Sequence, residues 1–127
     1  VRIYRTPEFR DFMEEYGIAT QAIRRAVDEI ASGLIHASLG GGLYKQRVAR
    51  AGRGKSGGFR TILIVKFDQH AFFLRGFAKN ERENLTPREL KFLKDLAKEM
   101  LKYDQKALDH AVRFGVIEEV AEEGSLP

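Results

Sequence analysis

The chain has no cysteine and no tryptophan, and only three prolines, three histidines and two methionines in 127 residues. Without cysteine there is no disulfide, no thiolate nucleophile and no cysteine zinc site, which fits a reducing cytoplasm. His36, His70 and His110 show no HExxH or H-x-H spacing, so they do not suggest a metal site. Each reads as a structural or solvated histidine. No apolar run approaches the roughly 20 residues needed to cross a bilayer. The N-terminus, VRIYRTPEFR, has no apolar signal core, which argues against secretion and membrane association. Ser56, in GKSGG, has no nucleophile-elbow motif around it and reads as loop. Gly40-Gly41-Gly42 is followed by neither GK[ST] nor a helix start, so it is not a nucleotide loop, and no cofactor is expected. The carboxylates gather at Glu8, Asp11, Glu14 and Glu15 and at Glu118, Glu119, Glu122 and Glu123. These read as solvent-facing helix and tail charges rather than a catalytic acid pair.

What the chain does have is positive charge in one place. Leu43 to Arg82 holds ten Lys and Arg against Asp68 and Glu81, a balance of +8 in a chain whose total is +4. The remainder therefore sums to −4. A stretch of cations on a neutral-to-acidic frame suggests a polyanionic partner.

The length fits one domain with one core, residues 1–127. Arg2 to Arg5 reads as a short strand. Thr6-Pro7 is an N-cap and first helical residue, Phe9, Phe12, Met13 and Tyr16 follow at helical spacing, and Gly17 ends that helix. A second helix from Ala19 or Thr20 carries Ala22, Ile23, Ala26, Val27 and Ile30, and stops at Gly33. Leu34 to Gly42 reads as loop, Leu43 to Arg50 as strand and Ala51 to Gly58 as a flexible basic loop. Phe59 to Phe67 and His70 to Ala78 read as a hairpin about a two-residue Asp68-Gln69 turn. Thr86-Pro87-Arg88-Glu89 is a capping-box sequence opening a helix with Leu90, Leu93, Leu96, Ala97, Met100 and Leu101 on one face. Lys91, Lys94, Lys98 and Lys102 form a ridge that reads as solvated surface. Asp104 caps a last helix ending at Gly115, so the two C-terminal helices run from about 86 to 115. Val116, Ile117 and Val120 suit a short strand, and the tail reads as frayed. The order predicts an α+β fold with an antiparallel-dominated sheet.

Strand alternation sends Lys45 and Arg47 from one face. Arg60 begins the next strand, and Lys79 and Arg82 end the third. Were the three strands neighbours, these cations would converge on one shallow groove. There Arg60 can hold a phosphate bidentately and Lys45 can act as point charge or proton donor. Such a group suits RNA cleavage through the ribose 2′-hydroxyl, where the substrate brings its own nucleophile. The protein has only to align it, neutralise charge and move two protons. The bland alternative is a solvated, lysine-protected sheet edge.

The segment GGGLYKQRVARAGRGKSGGFRTILIVKFDQHAFFLRGFAKNER, followed by a capped helix, resembles the RelE/ParE superfamily of bacterial type II toxins. It is most similar to the RelE/HigB-like branch. There K-x-R-v-A-r-x-G-x-G-K-S/R-G-G-x-R precedes a strand pair and G-x-x-K-N/S-x-R ends it. The match is strong over residues 39–82, and the flanking helices agree in order. The resemblance implies a sheet with two N-terminal helices on it and C-terminal helices after it. It implies a metal-independent mRNA endoribonuclease acting in the ribosomal A site. It also implies an antitoxin partner, commonly a helix-turn-helix protein, and operator DNA bound only through that complex. By position, the family's catalytic cations fall on Lys45, Arg47, Arg60, Lys79 and Arg82. Arg50, Arg53, Lys55 and Asn80 fall where RNA is gripped. One departure is that RelE proper has a late tyrosine, and several relatives a histidine, where this chain has Asn84 and Leu85. Lys45 or Lys79 would then move the protons. The superfamily also contains ParE-like gyrase poisons, and a third reading is a non-catalytic component of an operator-binding complex.

Overall fold

The computed structural model describes residues 1–50, 54–78 and 85–120; of residue 50 and residues 54–57 it describes the backbone alone. Among the described residues the order is β1 (Arg2–Arg5), α1 (Pro7–Tyr16), α2 (Thr20–Ala31), β2 (Ala37–Gly40), β3 (Leu43–Arg50), β4 (Gly54–Lys66), β5 (His70–Phe77), α3 (Pro87–Met100), α4 (Gln105–Arg113) and β6 (Glu118–Glu119). The strands form one sheet in the order β2-β3-β4-β5-β1-β6. Only β1 and β5 pair in parallel; the other pairings are antiparallel. No helix among the described residues is long and apolar enough to cross a membrane.

The helices start and stop where local chemistry directs. The Thr6 hydroxyl accepts from the Phe9 N–H at 3.1 Å and donates to the Leu74 carbonyl at 3.0 Å, so one side chain caps α1 and ties it to β5. Gly17, at φ 63°, closes α1 in the left-handed conformation. Thr86 and Glu89 make both bonds of a capping box on α3, at 3.1 and 2.9 Å. The Asp104 carboxylate caps α4 through the Ala107 N–H at 2.8 Å.

Both sheet faces are covered. Phe9 and Met13 of α1 and Ile23, Ala26, Val27 and Ile30 of α2 pack on Val48, Phe59, Leu63, Val65 and Phe73. On the opposite face, Leu93, Ala97 and Met100 of α3 and Leu108 and Ala111 of α4 cover Tyr4, Leu43, Ile62, Ile64, Phe72 and Leu74. Each large apolar side chain so buried contributes about 1.5–3 kcal/mol. The close fit shows at Gly76, where an added Cβ would lie 2.2 Å from the Phe12 ring.

Three local readings are corrected. Within the stretch expected to be loop from Leu34 to Gly42, residues Ala37–Gly40 form β2, an edge strand on β3. The basic loop expected from Ala51 to Gly58 is shorter, because β4 already begins at Gly54 and the β3–β4 register shifts between Val48 and Arg50. That irregularity brings the strands so close that a Cβ on Gly58 would lie 2.1 Å from the Val48 carbonyl oxygen. The β4–β5 connection is three residues long, since Lys66 pairs with His70 and Asp68 takes φ 65°. A residue in the left-handed region is what a three-residue hairpin loop requires.

Candidate nucleic-acid interface

The pairing of β3 with β4 sets the site. Lys45 lies opposite Ile62, and Arg47 lies opposite Arg60. Ile62 belongs to the core under α3 and α4, so alternation puts Lys45, Arg47 and Arg60 on that same sheet face. Arg47 is exposed, and Lys45 and Arg60 are half-buried. Residues directly opposite on antiparallel strands have Cβ atoms about 4.5–5.5 Å apart, and like charges there repel. Three cations gathered on one face form a focus for an anion. Guanidinium forks suit a phosphate in particular.

β5 brings its end to the same place, because Phe77 pairs with Arg60. The chain then leaves the sheet through Ala78. Lys79, Asn80 and Arg82, expected at this point, lie outside the described residues, as does Arg53. Arg50 ends β3 and Lys55 sits early in β4, with side chains outside the description.

Other cations of the basic stretch are used differently. A register shift between Ile62 and Leu63 gives β5 an extra residue, Leu74. It accompanies the turning of Arg75 toward the helix starts. Arg75 donates to Glu89 of α3 at 3.0 Å and lies 4.0 Å from Glu8 of α1. It therefore bridges the two helix starts. The lysine ridge of α3 is partly neutralised: Lys91 pairs with Asp95 at 3.0 Å and Lys102 with Glu99 at 3.9 Å. Lys94 instead reaches over Gly40 at the end of β2.

One neighbour of the cations was not singled out by its sequence context. Gln46, between Lys45 and Arg47, is only 2% exposed. Its side-chain carbonyl accepts from the His36 N–H at 2.9 Å, and its amide donates to the Leu34 carbonyl at 2.8 Å. The buried Thr61 hydroxyl donates to the Gln46 main-chain carbonyl at 2.8 Å. His36 is thus fastened to β3, immediately before Ala37, which pairs with Lys45. His36 is exposed, yet its pKa lies below the ordinary histidine value. Partial removal from water is the leading cause, followed by the charges of Arg47, Lys45 and Arg60. The remaining histidines have other surroundings. His70 packs against Tyr4 and Phe72, and its pKa is lowered by burial, then by Lys66 and Arg2. The His110 ring lies tilted against Phe114, with centroids 4.5 Å apart. Tyr103 lies between α3 and α4 and packs partly buried on the core beneath them.

On comparison with known proteins, a family model described as the RelE toxin of the RelE/RelB toxin–antitoxin system matches residues 1–120. No curated protein matches the chain.

Proposed function

From the premise that the chain belongs to the RelE toxin family, and so is the toxin of a toxin–antitoxin pair with a cognate antitoxin as partner, we propose that it is a metal-independent endoribonuclease that cuts mRNA in the ribosomal A site and thereby blocks translation. The observation that carries this reading is the placement of Lys45, Arg47 and Arg60 on one sheet face, with the two arginines directly opposite each other. Two guanidinium forks facing each other across the ladder suit a phosphodiester, whose oxygens can accept from both.

In this reading Arg60 and Arg47 hold the scissile phosphate and offset the charge that builds on its oxygens in the transition state. Lys45 stands beside them as point charge and proton donor. Lys79 and Arg82 join from the segment that follows β5, and Arg50, Arg53, Lys55 and Asn80 grip the flanking backbone. The RNA supplies its own 2′-hydroxyl nucleophile, so alignment and charge stabilisation are the protein's main tasks. The antitoxin silences the toxin by covering this face, and the pair, rather than the toxin alone, contacts operator DNA.

The test is translation in vitro on a defined mRNA, with cut ends mapped by primer extension. Cleavage at the A-site codon by the unaltered chain, lost in Arg60→Ala, is the expected result. Intact mRNA with the unaltered chain, together with inhibited supercoiling by purified gyrase, would replace the ribonuclease reading with a gyrase-poison one.

A further inference from the structure

We propose that Lys94 and Lys98, on the flank of α3, continue the cation site of β3 and β4, so that an RNA strand held at Arg47 and Arg60 runs on past Lys45 along that helix. The proposal rests on the reading of this face as an RNA site. It adds to that site a second set of phosphate contacts from another element of the fold.

The register of the sheet places the two sets end to end. α3 packs over β3, with Leu93, Ala97 and Met100 in the core that also holds Leu43. Leu43 pairs with Gly40 of β2, and the Lys94 Nζ lies 3.6 Å from where a Cβ on Gly40 would stand. Lys45 is the next residue of β3 on that face after Leu43, about 6–7 Å along the strand. Arg47, opposite Arg60, is the next again. The order is therefore Arg47 and Arg60, then Lys45, then Lys94. Lys98 stands one turn beyond Lys94 on the same flank of the helix. The join is uncovered on the side of β2. Gly41 is exposed, and a Cβ added there would meet nothing within 4 Å. A phosphodiester can approach Lys94 by that route.

The lysines of α3 are not equivalent. Lys91 and Lys102 each pair with a carboxylate of their own helix, Asp95 and Glu99. Lys94 and Lys98 are exposed and have no carboxylate within 4 Å among the described residues. Their chemistry also differs from that of the arginines. A guanidinium fork fixes one phosphate in one orientation, whereas an ammonium on a flexible stem follows a phosphate whose position varies with the bases. A fixed phosphate followed by loosely tracked ones is how a basic groove carries a single strand. Continuity with the arginine pair thus favours an RNA strand over an acidic protein segment.

The experiment is fluorescence anisotropy with a 2′-O-methyl RNA of about twelve nucleotides, long enough to cover both sets and resistant to cutting. It compares the unaltered chain with Lys94→Ala/Lys98→Ala, with Lys94→Arg/Lys98→Arg, and with Lys102→Ala/Lys106→Ala, which removes equal charge elsewhere. Each variant is melted in parallel, and a labelled poly-glutamate peptide serves as a second anion. Three site cations alone give a salt slope near −2, and two more steepen it to about −3.5. We expect the unaltered chain to show the steeper slope. Lys94→Ala/Lys98→Ala should bind about 10- to 30-fold more weakly at 100 mM salt, with a slope near −2. The arginine pair should restore affinity, Lys102→Ala/Lys106→Ala should stay within about threefold, and all should melt with the parent. A Lys94→Ala/Lys98→Ala affinity within about threefold of the parent, with equal slopes, overturns the inference and leaves the RNA reading standing. So does an equal loss in Lys102→Ala/Lys106→Ala, which would make the effect one of net charge. A loss confined to poly-glutamate also overturns it and assigns the flank to an acidic protein segment. Absence of RNA binding by the unaltered chain fells the RNA reading itself, and this inference with it.

Discussion

At one end of the sheet Arg2, Arg5 and Arg10 each lie against a glutamate of β6; in the β3–β4 pair Arg47 lies across from Arg60. Arg2 holds Glu119 through two bonds, at 2.8 and 2.7 Å. Arg5 and Arg10 share Glu118, at 3.3 and 2.5 Å. Both carboxylates are more acidic than usual. For Glu119 the Arg2 hydrogen bonds dominate; for Glu118 burial pushes upward, but Arg10 and Arg5 outweigh it. These arginines fasten a two-residue strand that pairs little backbone of its own. The β3–β4 arginines do the reverse, placing like charges opposite each other in the middle of a long ladder. The same residue type thus closes the fold in one place and gathers positive charge on a sheet face in the other.

Breaking the second group should give the largest effect. Arg60→Ala is expected to slow mRNA cutting by about 10²–10³-fold, as loss of a preorganised donor to a charged transition state does. A variant that cut normally would remove Arg60 from the site. Next in size is the irregularity that precedes Arg60. Gly58→Ala must force its Cβ away from the Val48 carbonyl oxygen, 2.1 Å off. We expect a loss of about 1–3 kcal/mol in urea unfolding, and a midpoint equal to the parent's would show that the strands can separate there without cost.

Salt sharpens the comparison further. Single-stranded RNA binding changes with a slope of about −0.7 per phosphate neutralised, so three site cations predict a slope near −2. That is about a 15-fold loss between 50 and 200 mM salt, measurable by anisotropy, whereas a flat response would deny a phosphate grip. The smallest effect belongs to the first group. Glu118→Gln should cost less than about 1 kcal/mol at pH 7, because the pair is partly solvated. The folded pKa of Glu118 lies below its ordinary 4.5, so its contribution is full above that value and is lost as pH falls through the lower folded pKa. Parent and variant should therefore draw together as the pH of the melts is lowered. Its RNA cutting should not change, and if it did, the two arginine groups would not be separable.

Much of this was legible in the residues. Thr6-Pro7 and Thr86-Pro87 mark helix starts because their chemistry is local, and each bond they predicted is made. FRTILIVKF reads as strand by composition alone, and the phase of Lys45 and Arg47 follows from the period of two. β2 was hidden because Ala-Ser-Leu-Gly has little intrinsic strand preference. It is a strand because β3 offers it an edge. Glu118 and Glu119 read as tail charges because their arginines lie more than a hundred residues away. Arg75 read as one more cation of a basic stretch, whereas in the fold it sits beside the extra residue of β5 and pairs with Glu89. The Gln46 clamp carried no signal at all, since nothing near it in sequence says that its side chain is buried against the backbone at 34 and 36.

Leu43 to Arg82 stands out in the sequence as the basic, strand-forming stretch, because net charge and strand alternation need no knowledge of the rest of the chain. Which of its cations meet was decided by tertiary pairing. Register set Arg47 against Arg60, the extra residue in β5 accompanied the turn of Arg75 into the frame, and a buried glutamine fastened the backbone at His36 to β3. Periodicity along a chain tells which way a side chain leaves its strand; only the neighbouring strand tells what it faces.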